Sequence, residues 1–122
     1  MPLSINRSIK SPGVIVLKIG GSLDANTSSR LEEEINDLLQ TSPRSLIFDF
    51  EFLDFISSAG IRVILMAQKE LLKRGASIMM VKLQPQIQKV FDIIKALPNA
   101  TIFRNVEELD SYLAGMQQKF RE

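Results

Sequence analysis

A chain of 122 residues suits one domain with a single modest core. Its 45% apolar and 24% charged residues and formal charge of +1 describe an ordinary soluble globular protein, and they argue against a general binder of nucleic acid or acidic membrane. With no Cys and no His, it cannot build a disulfide, a thiolate nucleophile, a Ser-His triad, a histidine phosphorelay or the common zinc sites from its own residues.

In chain order, "LSINRSIK" at 3–10 alternates weakly, as an edge strand would, and Ser11-Pro12-Gly13 signals a turn. "VIVLKI" at 14–19 is rich in β-branched residues and reads as the second strand of a hairpin, which Gly20 and Gly21 are expected to end. From about Asn26 the pattern turns helical, with Leu31, Ile35, Leu38 and Leu39 on one face and Glu32, Glu33 and Glu34 in its first half. Thr41-Ser42-Pro43 ends that helix, and "SLIFDF" at 45–50 is a short strand. "GIRVILMAQKELLKRG" predicts a helix with Ile61, Ile64, Leu65, Leu71 and Leu72 on its apolar face and Gly75 just past its end. "SIMMV" at 77–81 is a strand, which the adjacent Met79 and Met80 are expected to pack. Pro85 opens a helix carrying Ile87, Val90, Phe91 and Ile94, which Leu97-Pro98-Asn99 closes. "TIF" at 101–103 is a brief strand, and the last helix holds Val106, Leu109, Leu113 and Met116 on one side.

The order β-β-α-β-α-β-α-β-α predicts an α/β fold: a mixed, mostly parallel sheet with four helices and an antiparallel edge from the hairpin. No repeat, low-complexity segment or linker divides the chain, so residues 1–122 are expected to form one domain. The N-terminus "MPLSINRSIK" lacks the apolar core of a signal peptide, and no apolar run nears the roughly 20 residues of a membrane span. A cytoplasmic location is expected.

Several stretches are candidates for chemistry. "KIGGSL" at 18–23 resembles the phosphate-binding opening of amino-acid kinases, but no Walker pattern accompanies it, and a strand-ending Gly-Gly turn explains the same residues. Asp24, Asn26 and Thr27 have a structural use in starting the first helix. Asp49, Glu51 and Asp54 could hold Mg²⁺, yet a dedicated site needs more converging oxygens, and carboxylates near a strand end are ordinarily solvated. Neither a metal nor a cofactor is expected. The most pointed stretch is "DFISSAGIRVIL" at 54–65. Its bland reading makes Ser57 an N-cap, the hydroxyl accepting an orphan backbone N–H bond, and Ser58 the first helical residue. A serine on a first helical turn also tolerates a phosphate, because the positive end of the helix dipole and unpaired N–H groups face it. A partner surface packed there would not tolerate one.

These residues resemble a known family. "FDFEFLDFISSAGIRVIL" is similar to the signature of STAS domains, specifically bacterial anti-sigma factor antagonists, and "LKIGGSLDANTSSRLEEEI" resembles their N-terminal pattern. The resemblance implies a non-catalytic partner switch. The protein would bind an anti-sigma factor with serine kinase activity, free the sigma factor, and lose that binding once phosphorylated, until a serine phosphatase restores it. The acceptor two residues before the motif glycine, Gly60, corresponds to Ser58, with Ser57 the alternative. Partner-binding positions implied are Asp24, Thr27, Ser57, Ser58, Gly60 and Arg62. This chain departs from the motif in having Ser57 where the family has an aspartate, Ala59 after the acceptor, and Arg62 at a commonly small position. A second reading within the fold is a soluble STAS subunit of a transporter or lipid-transport complex. A third is a small phosphate-handling enzyme using Lys18 and its Gly-Gly.

Overall fold

The computed structural model describes residues 2–96 and 106–121. Its elements run β1 (Ser4–Ser11), β2 (Val14–Leu23), α1 (Ser28–Leu39), β3 (Ser45–Asp49), β4 (Leu53–Ile56), α2 (Ser58–Lys73), β5 (Ser77–Val81), α3 (Pro85–Ala96) and α4 (Val106–Arg121). This is the expected α/β architecture with four helices, but two strands, β3 and β4, stand between α1 and α2 where the expected order has one. The strand expected at 101–103 lies outside the described residues.

The hairpin pairs β1 and β2 antiparallel from Ser4 opposite Gly20 to Ser11 opposite Val14. The first half of β2 runs parallel to β3, and β3 runs parallel to β5. The second half of β2 runs parallel to β4, from Gly21 opposite Leu53 to Leu23 opposite Ile56.

Two expectations about these strands are corrected. Gly20 and Gly21 do not end the second strand; β2 passes through both to Leu23. Gly21 has φ +87°, and a Cβ there would overlap the carbonyl of Pro2, so glycine lets the N-terminal segment lie against the strand. Its N–H donates to the Phe52 carbonyl at 2.9 Å. The strand expected at 45–50 ends at Asp49. A tight turn closed by the Leu53 N–H on the Phe50 carbonyl (3.0 Å) then offsets the chain into β4. Because β2 is the longer strand, it pairs with both pieces in succession.

Alternation along β2 shows which sheet face carries the core. Ile15, Leu17 and Ile19 are buried, Val14 and Val16 half-buried, and Lys18 exposed. Leu46, Phe48 and Phe50 continue that face; Phe50 stacks on Phe48 at 5.5 Å and on Phe91 of α3 at 6.3 Å. Helix α1 buries Leu31, Ile35, Leu38 and Leu39 as its spacing predicts. Its glutamates lie beyond the first turn, where dipole stabilisation has faded; Glu34 instead pairs with Arg7 and Glu32 with Arg62. Helix α2 buries Ile61, Ile64 and Leu71, but Leu65 and Leu72 face outward, and Val63 and Ala67 take their places. The expected apolar stripe was therefore rotated by part of a turn. Past α2, the Gly75 N–H bonds the Leu72 carbonyl and the Ala76 N–H that of Leu71, a Schellman ending. Met79 and Met80 stand exposed on β5 rather than packing it.

Candidate functional site

The residues singled out in the sequence meet where β2 and β4 end side by side. Parallel strands present their carboxyl ends together, and the loops leaving them share one edge. From β2 comes the Asp24–Thr27 loop into α1; from β4 comes Ser57 and the start of α2. The Ser57 N–H donates to the Leu23 carbonyl at 2.9 Å, which ties the two exits together.

Gly60 is buried on the first turn of α2 against this junction. A Cβ there would lie 2.7 Å from Leu23 Cγ and 2.9 Å from both Ile56 Cγ1 and the Leu23 carbonyl oxygen. The motif glycine is thus a packing requirement: the helix seats directly on the strand ends only without a side chain.

Ser57 is the N-cap, with extended backbone, and its carbonyl accepts the first helical bond from Ile61 N–H at 2.9 Å. Its hydroxyl does not cap. Ser57 Oγ is buried without a hydrogen-bond partner among the described residues. The capping acceptor comes from another helix: Asp110 Oδ1 of α4 accepts the Ser58 N–H at 2.8 Å. Ser58 itself is half-buried on the first turn.

The Asp24 loop is held by its own side chains. Asp24 Oδ1 accepts the N–H groups of Asn26 (2.9 Å) and Thr27 (3.2 Å). Thr27 Oγ1 donates to the Ser22 carbonyl and accepts the Asp24 N–H, each at 2.9 Å. Both residues remain half-buried. Arg62 is exposed one turn beyond Ser58, 3.6 Å from Glu32 of α1. Ser58, Ile61, Arg62, Leu65, Ile94 and Leu109 line an open groove of about 360 Å³ between α2 and the α3–α4 pair. The structure therefore brings Asp24, Thr27, Ser58 and Arg62 to accessible positions, while Ser57 and Gly60 lie beneath them and shape the surface.

The other candidates resolve into structural roles. Asp49 is buried, not solvated: Oδ1 accepts the Glu51 N–H at 3.0 Å, and Lys82 lies within 3.9 Å of both carboxylates. Among the described residues no group of three potential ligands could hold a metal ion. The Gly-Gly of "KIGGSL" is buried strand backbone, not an open phosphate loop.

Three important residues were missed in the sequence. Gln117 of α4 is buried; its Oε1 accepts the Ile56 N–H at 2.9 Å and its Nε2 donates to the Ile56 carbonyl at 2.7 Å. Gln86 of α3, also buried, donates to the Asp54 carbonyl at 3.2 Å. These glutamines close the edge of β4 that faces away from β2, and Asp110 extends the line to Ser58. The available signal was Gln117 four residues beyond Leu113, a polar residue on an apolar stripe. That pattern marks a buried polar group but not its partner.

Residues 7–109 match the STAS domain family. BtrV of Bordetella bronchiseptica, named as a candidate anti-sigma factor antagonist, is 30% identical over 84 residues, 69% of this chain and 72% of that protein. The anti-sigma-F factor antagonist RsfB of Mycobacterium tuberculosis is 36% identical over 52 residues, 43% of each chain. The fold is similar to that of the phosphorylated form of SpoIIAA, a Bacillus cell fate determinant, with a TM-score of 0.64 at 21% identity over 81% of this chain and 93% of that one. The unphosphorylated form, described as an anti-sigma factor antagonist, gives a TM-score of 0.64 at 22% identity, covering 80% and 90%. No helix among the described residues is long and apolar enough to cross a membrane. With its signature seated at the paired strand ends and its family match spanning most of its length, the chain belongs to the STAS domain family, alongside relatives described as anti-sigma factor antagonists.

Proposed function

We propose that this protein is a partner switch, an anti-sigma factor antagonist. It binds an anti-sigma factor with serine kinase activity, frees the sigma factor, and is released when Ser58 is phosphorylated; a serine phosphatase restores the binding form. The observation that carries this reading is the placement of Ser58, half-buried on the first turn of α2 at the edge where the Asp24–Thr27 loop also emerges. Ser57 is the poorer acceptor because its hydroxyl is buried. The names of BtrV and RsfB support the class of function, and the existence of SpoIIAA in phosphorylated and unphosphorylated forms supports the modification.

In the transfer, Ser58 Oγ bonds to the γ-phosphorus of ATP held by the kinase. The bond from that phosphorus to the β–γ bridging oxygen breaks, ADP leaves, and the hydroxyl proton passes to a base of the kinase. This chain supplies the acceptor and its presentation, not the catalytic groups. The phosphate it gains rests at a helix N-terminus, which the dipole favours, and places a dianion in the surface that the partner covers.

Intact mass of protein purified from its own cells, wild type beside Ser58→Ala, tests the reading. A phosphate-sized shift in the wild type and none in the variant is expected. A shift that persists in Ser58→Ala moves the acceptor elsewhere. No shift, even after incubation with the host's candidate kinases and ATP, overturns the switch in favour of a constitutive binding module or a soluble transporter or lipid-transport subunit.

A further inference from the structure

Helix α4 is fastened to the segment Ile56-Ser57-Ser58 at two points two turns apart. Gln117 grips both backbone groups of Ile56, and Asp110 accepts the Ser58 N–H at 2.8 Å. The first grip is neutral; the second is a carboxylate resting on a helix N-terminus. A phosphate on Ser58 would seek that same N–H and its neighbours, carrying close to two negative charges. Two anions cannot share one N-terminal turn without repulsion. Arg62 offers the phosphate a cation one turn further along α2, the spacing at which helical side chains pair. It lines the same groove as Ser58, and its present pairing with Glu32 is long, 3.6 Å, and exposed.

We propose that Asp110 is the positioning residue through which α4 responds to the state of Ser58. In the unmodified protein its carboxylate holds the acceptor turn in place, supplying from α4 an anion next to the acceptor, where this chain has Ser57 in its own motif. On phosphorylation the phosphate takes over the N-terminus of α2, Asp110 is expelled, and the N-terminal turns of α4 through Asp110 lift while Gln117 keeps the later turns anchored. Leu109, adjacent to Asp110, lines the groove with Ile61, Leu65 and Ile94, so lifting those turns reshapes the apolar surface beside Ser58. Phosphorylation would then alter the binding face by geometry as well as by charge. This inference rests on the reading of Ser58 as the phosphorylated residue.

The test installs phosphoserine at position 58 of the full chain during synthesis, so it needs no kinase and stands apart from whether cells ever modify Ser58. Amide hydrogen exchange is followed over α4 in modified and unmodified protein, in wild type and in Asp110→Asn, which keeps an acceptor oxygen but loses the charge. In the wild type, phosphoserine should speed exchange of the amides at 110–113, the first with acceptors inside the helix, by about ten-fold or more, with the turn around Gln117 protected. In Asp110→Asn the acceleration should fall to less than about three-fold. Unchanged exchange in the phosphorylated wild type overturns the proposal without any variant. An equal acceleration in Asp110→Asn overturns it as well, because the effect would then not pass through the carboxylate charge. Absence of phosphate in cells would refute only phosphorylation of Ser58 as the cellular switch.

Discussion

Gly60 and Ser57 show how differently two motif positions three residues apart serve the fold. At Gly60 the helix approaches the strand ends so closely that a methyl group would meet the Leu23 carbonyl oxygen at 2.9 Å, a contact backbone cannot easily relieve. At Ser57 the backbone is that of an N-cap, yet the hydroxyl is buried and, among the described residues, unpaired. Removing a buried hydroxyl that bonds nothing removes a desolvation penalty. Ser57→Ala should therefore leave stability unchanged or raise it by up to about 1 kcal/mol, whereas a hydroxyl that capped the helix would cost about 1 kcal/mol on removal. Urea denaturation decides between them, provided the slope with denaturant stays constant. A clear loss of stability would mean that the hydroxyl has a partner after all.

At the scale of elements, β4 is a four-residue strand paired on one side with β2 and closed on the other by side chains. Gln86 and Gln117 do for its outer edge what a further strand would do, satisfying backbone groups that would otherwise be buried without partners. Truncating Gln117 leaves the Ile56 N–H and carbonyl unpaired in the interior. Gln117→Ala should cost about 2–4 kcal/mol, from roughly 1–3 kcal/mol for each orphaned group less what water entering the gap restores. The loss should appear in chemical denaturation and as faster exchange of the Ile56 amide; unchanged exchange there would refute the clamp. On the opposite edge, Arg7 of β1 binds Glu34 (2.6 Å) and Asp37 (2.9 Å) of α1. Partial burial alone would lower its pKa, but hydrogen bonds to Asp37 and Glu34 and their charges outweigh it and raise the guanidinium above its usual value. The pair fastens an edge strand to a helix rather than making a titrating site.

For the whole molecule, what counts is that the accessible candidate residues Asp24, Thr27, Ser58 and Arg62 lie on the edge where β2 and β4 end, with Ser57 and Gly60 beneath them. Arg62 is 58% exposed in its side chain, and its ion pair with Glu32 is long, 3.6 Å. Reversing its charge should leave stability within about 0.5 kcal/mol, as for most surface changes. If the edge carrying Ser58 is the partner surface, Arg62→Glu should weaken binding to the cognate anti-sigma factor by about ten-fold or more, with a changed salt dependence. Titration calorimetry at two ionic strengths, beside thermal melts, measures both. Unchanged affinity would move the interface away from α2.

Much of this was legible along the chain because local periodicity reports local burial. The faces of α1 and α3, the start of α2 at Ser58 and its ending at Gly75, and the mostly parallel sheet all follow from spacing and turn chemistry. Local signals failed where a neighbour decided the outcome. Gly20 and Gly21 read as a break, but pairing with Ser4 of β1 and Leu53 of β4 keeps them in the strand. Leu65 and Leu72 fit the apolar stripe of α2, yet the sheet and α1 lie to one side of it and leave them outside. The serine pair was visible as a helix start and a candidate acceptor, but its true capping group stands 52 residues away in sequence. The sequence alone determined the four helices, the strands β1, β2, β3 and β5, and the position of Ser58, since these depend on residues within a few turns of one another; it did not separate β4 from β3. Only the tertiary structure decided that Asp110 holds that serine's N–H and Gln117 the backbone of Ile56 before it, because a hydrogen bond between distant segments leaves no periodic trace in either.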